Sequence, residues 1–415
     1  MQAELTVGDG LDPAYPAPPA PDERRLRLGR LARLRQEMQR FDYDAVLLHD
    51  SHNVRYATGA RNMLPFLLRN PARYVFVPLA GPVVLFEFEG AEHLERDNPA
   101  IDEIRPAVTV SYVARGPLLE ESARTFAAEI ADLMRRSCGD GRRLGIERLS
   151  IAAVTALAGH GLDLLDAQAP VERARAIKTP EEIAASRRSI ACTMAGEAKL
   201  RAALTPGISE TALWSVLQAH LVAAGADYIE TRLLNSGPRT NPWYQETGGR
   251  VIENGDLVAH DTDVVGLHGY YADFSRTFLC GDDRPSDTQR ELYGLACEQI
   301  HHNMELIRPG ASFREVTEAG WPIPERCYAH RYYLLAHGTG LTGEYPYLVN
   351  DADYDSGANY DGVIEPGMTL CIESFIGDDS GGEGVKLEQQ VLVTETGIEL
   401  MSTFPFEEAL LGREL

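Results

Sequence analysis

Long apolar runs are missing from this sequence. Nowhere do about 18 consecutive residues stay apolar, so no membrane-spanning helix is expected. Basic residues are scarce: Lys and Arg number 39 against 62 Asp and Glu, giving a formal charge of −23. That balance argues against nucleic acid and anionic membrane surfaces as partners. Paired cysteines are missing too. The six cysteines (Cys138, Cys192, Cys280, Cys297, Cys327 and Cys371) are scattered and form no CxxC pair. This argues against a zinc knot or a disulfide framework and for reduced, mostly buried thiols. The opening MQAELTVGDGLDPAYPAPPAPDERR has neither a basic stretch nor an apolar one behind it. No secretory signal is expected, and a cytoplasmic chain is.

What is present suits two domains. The 415 residues are 44% hydrophobic, enough for two buried cores. Residues 1–22 are rich in Pro and Ala and read as an extended arm able to lie on a partner subunit. Residues 23–172 alternate helical and strand patterns: a helix near 24–41, strands at 44–50 and within 74–88, a helix over 119–136, a strand at 143–147. That alternation predicts an α/β domain. RARAIKTPEE (173–182) opens a second domain, 173–415. Thr179 and Glu182 fit a capping box, with Pro180 at the first helical position. Helices follow to about 202, over 209–224 and near 285–306, with strand-rich segments between and after them. The fold class expected is α/β (α+β).

One of those segments, HDTDVVGLHGYYADFSRTF (260–278), carries aspartates where a strand needs apolar side chains. Asp261 and Asp263 are two apart, so one face of one strand is expected to present both. Asp273 returns on the partner strand after Gly266 and Gly269, close enough for cross-strand contact. Three buried carboxylates repel one another unless cations sit between them. CIESF places Glu373, and VKLEQQVLV places Glu388, as lone carboxylates in apolar strands; HGTGL sets His337 before a glycine-rich turn. Five carboxylates and one histidine form a hard, oxygen-rich ligand set. It suits two adjacent divalent ions (Fe, Mn, Co or Zn) better than a cysteine-rich site does.

These segments, with VRYATG (54–59), RAIKTPEEI (175–183) and EPGMTLCIES, resemble the M24 metallopeptidase and creatinase superfamily. The resemblance implies a creatinase-like N-terminal domain, a catalytic pita-bread domain and a homodimer. It spans nearly everything after residue 25. Peptidases of the family place one carboxylate on the first strand, at the spacing from Asp273 that Thr262 holds here. They also carry two accessory histidines, where this chain has Trp243 and Glu344. The Asp-x-Asp…Asp spacing, ETRLLNSGPRTNPWYQE (230–246) and Tyr332 ahead of His337 are more similar to the branch that cleaves dimethylsulfoniopropionate. That branch implies Asp261, Asp263, Asp273, His337, Glu373 and Glu388 as metal ligands and Tyr332 in the active site. The position of its proposed proton-abstracting aspartate is Gly343 here, with Glu344 adjacent.

The implied reaction is a metal-dependent β-elimination of a small zwitterion, giving dimethyl sulfide and acrylate. Glu344 is the expected base and Tyr332 the second candidate. Trp243, Tyr244, Tyr332 and Tyr345 are the aromatic faces expected to hold the sulfonium. Rival expectations are an Xaa-Pro aminopeptidase or dipeptidase, an enzyme for another onium substrate, and a metal-free binding module on the same fold.

Overall fold

The computed structural model describes residues 14–16, 18–70, 72–356 and 360–411. It forms two compact units, Asp22–Arg175 and the described residues on either side of that span. The expected arm falls largely on residues 1–13 and 17, which lie outside the described residues. Of the rest, Tyr15 stacks on Phe404 at 5.8 Å, and the Pro18 carbonyl accepts from Arg188.

The smaller unit is built on six strands: β1 (Ala45–Leu48), β2 (Tyr74–Pro78), β3 (Val84–Glu87), β4 (Glu103–Pro106), β5 (Arg143–Ile146) and β6 (Asp163–Asp166). Their order is β4-β3-β2-β1-β5-β6, with β1 parallel to β5 and antiparallel to β2. AVLL and YVFVP are buried along their whole length, as strands covered on both faces must be. Helix Leu119–Cys138 buries Ala123, Phe126, Ala127, Ile130, Leu133 and Met134, a stripe at helical spacing that joins the sheet's core. VRYATG proves to be a helix end: Ser51–Thr58 is capped by Asp50 and stopped by Gly59 at φ +79°.

The larger unit opens with helix Pro180–Ala203, whose Thr179–Glu182 capping box forms as expected. Helices Glu210–Ala224 and Asp287–Leu306 accompany three antiparallel sheets. One joins β7 (Tyr228–Ile229), β10 (Val264–Val265) and β11 (Tyr271–Ala272). A second joins β8 (Leu234–Ser236), β9 (Leu257–Asp261) and β12 (Ser275–Leu279). The third has order β14-β13-β15-β16-β17: β13 (Leu334–Thr339), β14 (Gly343–Val349), β15 (Thr369–Gly377), β16 (Gly384–Val393) and β17 (Ile398–Leu400). Every residue of β15 and β16 is buried, so this sheet too is covered on both faces.

Side chains tie β16 to β12. The Lys386 carbonyl accepts from the Thr277 hydroxyl at 2.9 Å, and Arg276 donates to the Glu388 carbonyl at 2.8 Å. Fully buried Arg276 also reaches the carbonyls of Ser275, Phe404 and Pro405, so its charge is solvated by backbone dipoles. No helix among the described residues is long and apolar enough to cross a membrane. The six cysteines are unpaired, and all but Cys138 are buried.

Candidate metal centre

The aspartates enter where two sheets part. β9 and β12 pair up to Asp261 opposite Ser275, and beyond the gap β10 and β11 pair Val264 with Ala272. Thr262 bridges the break: its hydroxyl donates to the Ala272 carbonyl at 3.1 Å and accepts from the Phe274 amide at 3.0 Å. Asp261 and Asp263 therefore do not share one continuous strand face, which corrects the expectation from spacing. The strand ends at Asp261, and Asp263 turns inward through a left-handed residue at φ +42°. That conformation costs about 1–2 kcal/mol outside glycine. Asp263 is held there by the Thr231 hydroxyl and by Tyr271, whose phenol donates to Oδ1 at 2.9 Å.

The third sheet supplies the other ligands. Glu373 and Glu388 stand opposite each other on β15 and β16, and His337 on β13 pairs with Cys371. The Nε2 of His337 lies 3.5 Å from Asp273 Oδ2 and 3.4 Å from Oε1 of both Glu373 and Glu388. Its Nδ1 is 3.1 Å from the Gly338 carbonyl; with the proton assigned there, Nε2 is the nitrogen open to a cation. Two groups of ligand atoms, each within 4.8 Å of one another, share Asp273: Asp273, His337, Cys371 and Glu388, and Asp261, Asp263 and Asp273. Cys371 donates to the Asp273 carbonyl, and burial first, then Asp273 and Glu388, push its thiol far up, so it is held protonated.

These residues fit divalent metal. Ligands about 2.1 Å from a four-coordinate ion lie about 3.4 Å apart, the spacing found around Nε2. Asp273 Oδ1 and Glu388 Oε1 are buried and accept no hydrogen bond among the described residues. Burial, then neighbouring carboxylates, raise Asp273 well above the usual carboxylate range; burial and Asp261 do the same to Asp263. Burial works against a charged His337, but the nearby carboxylates of Glu373, Glu388 and Asp273 outweigh it and raise its pKa. The cluster holds more negative charge than its own cations balance.

Lys386 was missed by sequence reasoning. It lies wholly buried on β16, two residues before Glu388 and so on the same face. A lysine at that register of an apolar strand was the available signal.

A cavity of about 270 Å³ opens onto the cluster, walled by Tyr244, Tyr271, Tyr332, Tyr333, Tyr347 and Gly343. Tyr244 and Tyr332 were expected there; Tyr271, Tyr333 and Tyr347 were not. Tyr332 stacks between Tyr244 at 5.4 Å and Tyr333 at 5.7 Å. Trp243 sits behind this wall, 5% exposed, packed on Ala259, Phe375 and Tyr332. Tyr345 stacks on Tyr360 at 5.6 Å and leans on Phe313, away from the cavity wall. Glu344 likewise does not line the cavity. Strand alternation turns Gly343 inward and Glu344 outward, into a buried ion pair with Lys178 at 2.7 Å. Irregular pairing of β13 with β14 then brings Tyr347 opposite His337.

A buried carboxylate-and-histidine cluster between antiparallel sheets defines a metalloenzyme architecture, and the chain belongs to metallopeptidase family M24. That description matches residues 184–395, and "Creatinase/Prolidase N-terminal domain" matches residues 30–177. The chain is 38% identical over 394 residues to the dimethylsulfoniopropionate lyase DddP of Roseovarius nubinhibens, covering 94% of this chain and 88% of that one. It is 36% identical over 377 residues to the DddP of Roseobacter denitrificans, covering 90% and 84%. An Xaa-Pro dipeptidase structure from Bacillus anthracis superposes with a TM-score of 0.73 at 23% identity, covering 92% and 99%. The expected fold, a creatinase-like N-terminal part and a pita-bread C-terminal part, is the one observed. Enzymes of this family use divalent metals.

Proposed function

We propose that this enzyme is a metal-dependent carbon–sulfur lyase that cleaves dimethylsulfoniopropionate, or a closely related small onium carboxylate, to dimethyl sulfide and acrylate. The observation that carries the reading is the cavity: an oxygen-rich ligand cluster on one side and stacked tyrosine faces on the other. A zwitterion has one end for each. Its similarity to the two DddP lyases over most of its length supports the same reading.

Asp261, Asp263, Asp273, His337, Glu373 and Glu388 would hold two divalent ions, and the division of labour follows the expected domains, with 173–415 catalytic. When bound, such ions withdraw charge from a substrate carboxylate and acidify the carbon beside it. The faces of Tyr244, Tyr333 and Tyr347 receive the onium group by cation–π attraction, about 0.5–2 kcal/mol each. A base takes the proton from the acidified carbon. Its electron pair forms the new double bond, and the carbon–sulfur bond breaks with its pair leaving on sulfur.

We assign the base to Tyr332, because it borders the cavity whereas Glu344 is committed to Lys178. Burial and the charge of Glu373 raise the Tyr332 phenol, so cations balancing Glu373 favour its deprotonation. Trp243 supports Tyr332 from behind. A Cβ at Gly343 would meet nothing nearer than His337 Nδ1 at 3.9 Å, which leaves room for an onium head larger than dimethylsulfonium. A homodimer in the cytoplasm is the setting we propose, with iron among the candidate metals.

Headspace chromatography over metal-loaded protein given dimethylsulfoniopropionate tests the reading. Dimethyl sulfide and acrylate are expected in equal amounts. Release from Xaa-Pro dipeptides instead, with no dimethyl sulfide, would overturn it in favour of the hydrolase.

A further inference from the structure

The mechanism above leaves the buried cation Lys386 without a task. Its Nζ donates to Glu373 Oε2 at 2.5 Å and to the Ser275 hydroxyl at 2.8 Å, and lies 3.5 Å from Asp261 Oδ2 and Glu388 Oε2. The Ser275 oxygen is 2.8 Å from Asp261 Oδ1 and 2.9 Å from Glu388 Oε2, with one proton for either. Glu373 and Glu388 thus divide their oxygens. Each turns Oε2 toward the ammonium and Oε1 toward His337 Nε2.

The charge count follows. Asp261, Asp263, Asp273, Glu373 and Glu388 carry five negative charges beside a neutral His337, and Lys386 removes one. Two divalent ions cancel the remaining four. Without the lysine the loaded centre would keep a net negative charge in a buried site, where unit charges interact strongly. A carboxylate substrate would then be repelled.

We propose that Lys386 is a built-in cation that sets the net charge of the centre, so that two divalent ions bring it to neutrality and a substrate carboxylate can still bind. This rests on reading the cluster as a two-ion centre. Lys386 is a positioning residue, acting through the ligands rather than on the substrate.

The test compares wild type with Lys386→Met, Lys386→Gln and Lys386→Arg, each loaded with manganese. Two readouts are independent of any reaction: manganese retained during timed dialysis against a chelator, and propanoate binding by titration calorimetry. Lys386→Met and Lys386→Gln are expected to surrender manganese more slowly, since a competing cation is gone. They should bind propanoate about tenfold more weakly. Lys386→Arg should behave as wild type. The Gln variant keeps a hydrogen-bond donor and so stands in should the Met variant not fold. Folded neutral variants that lose manganese faster, or bind propanoate as wild type does, would overturn the proposal. Wild type that takes up no manganese would instead remove the two-ion reading beneath it.

Discussion

The two units bury carboxylates in opposite ways. In the smaller one, Glu87 is wholly buried but meets Arg73 at 2.8 Å and accepts from the Phe88 amide. Glu147 accepts from the amides of His49 and Asp50 and from Asn53. Each buried acid there is answered by a local partner. In the larger unit Asp261, Asp263, Asp273 and Glu373 line one cavity with Glu388 close by, and buried oxygens of Asp273 and Glu388 accept nothing among the described residues. A buried acid with a partner belongs to the fold. A surplus of buried acid beyond the available partners marks a site that expects a ligand.

The comparison breaks most sharply at Asp273, shared by both ligand groups. Asp273→Asn should lower metal content and cost more than about a hundredfold in turnover, since even residues behind metal ligands cost 10–100-fold. The same change should raise the melting temperature of the metal-free protein, because it removes repulsion. Calorimetry with chelator present checks this; a lower melting temperature would mean Asp273 serves the fold as Glu87 does.

Arg73→Leu is the opposite case. It strands Glu87 without a counter-charge and should destabilise the smaller unit by about 3–5 kcal/mol in denaturant titration. Metal content per folded chain should not change.

His49 gives a pH signature. Burial lowers its pKa to about 3, below the unfolded value of about 6.5. The unfolded chain therefore binds a proton that the folded chain refuses. The stability His49 contributes is complete above about pH 6.5 and is lost as pH falls toward 3. His49→Phe, which keeps the stacking on Tyr74, should flatten that acid slope. An unchanged slope would place the titration elsewhere.

The smallest effect sharpens the aromatic wall. Tyr333→Ala should raise KM roughly two- to fivefold for an onium substrate, the worth of one exposed cation–π contact, with kcat little changed. Equal KM values for the two proteins would remove Tyr333 from the binding wall.

Much of this was legible in the chain. The capping box at Thr179, the buried strands AVLL and YVFVP, and the acids of CIESF and VKLEQQ all signal their places through local pattern. What escaped depended on contacts between distant segments. The break at Thr262 arises because β10 and β11 leave one sheet for another, which period-two spacing does not reveal. Glu344 and Tyr345 lie off the cavity and Tyr347 lies on it, because strand alternation and the irregular pairing of β14 decide which side chains face inward. Lys386 escaped because a lysine in a strand reads as solvated until both faces of that strand prove covered.

Equilibrium dialysis of purified protein against manganese, followed by elemental analysis, probes the central claim most directly. Wild type should retain two ions per chain and Asp273→Ala fewer than one. Wild type and variant that emerge equally empty, both folded, would contradict it.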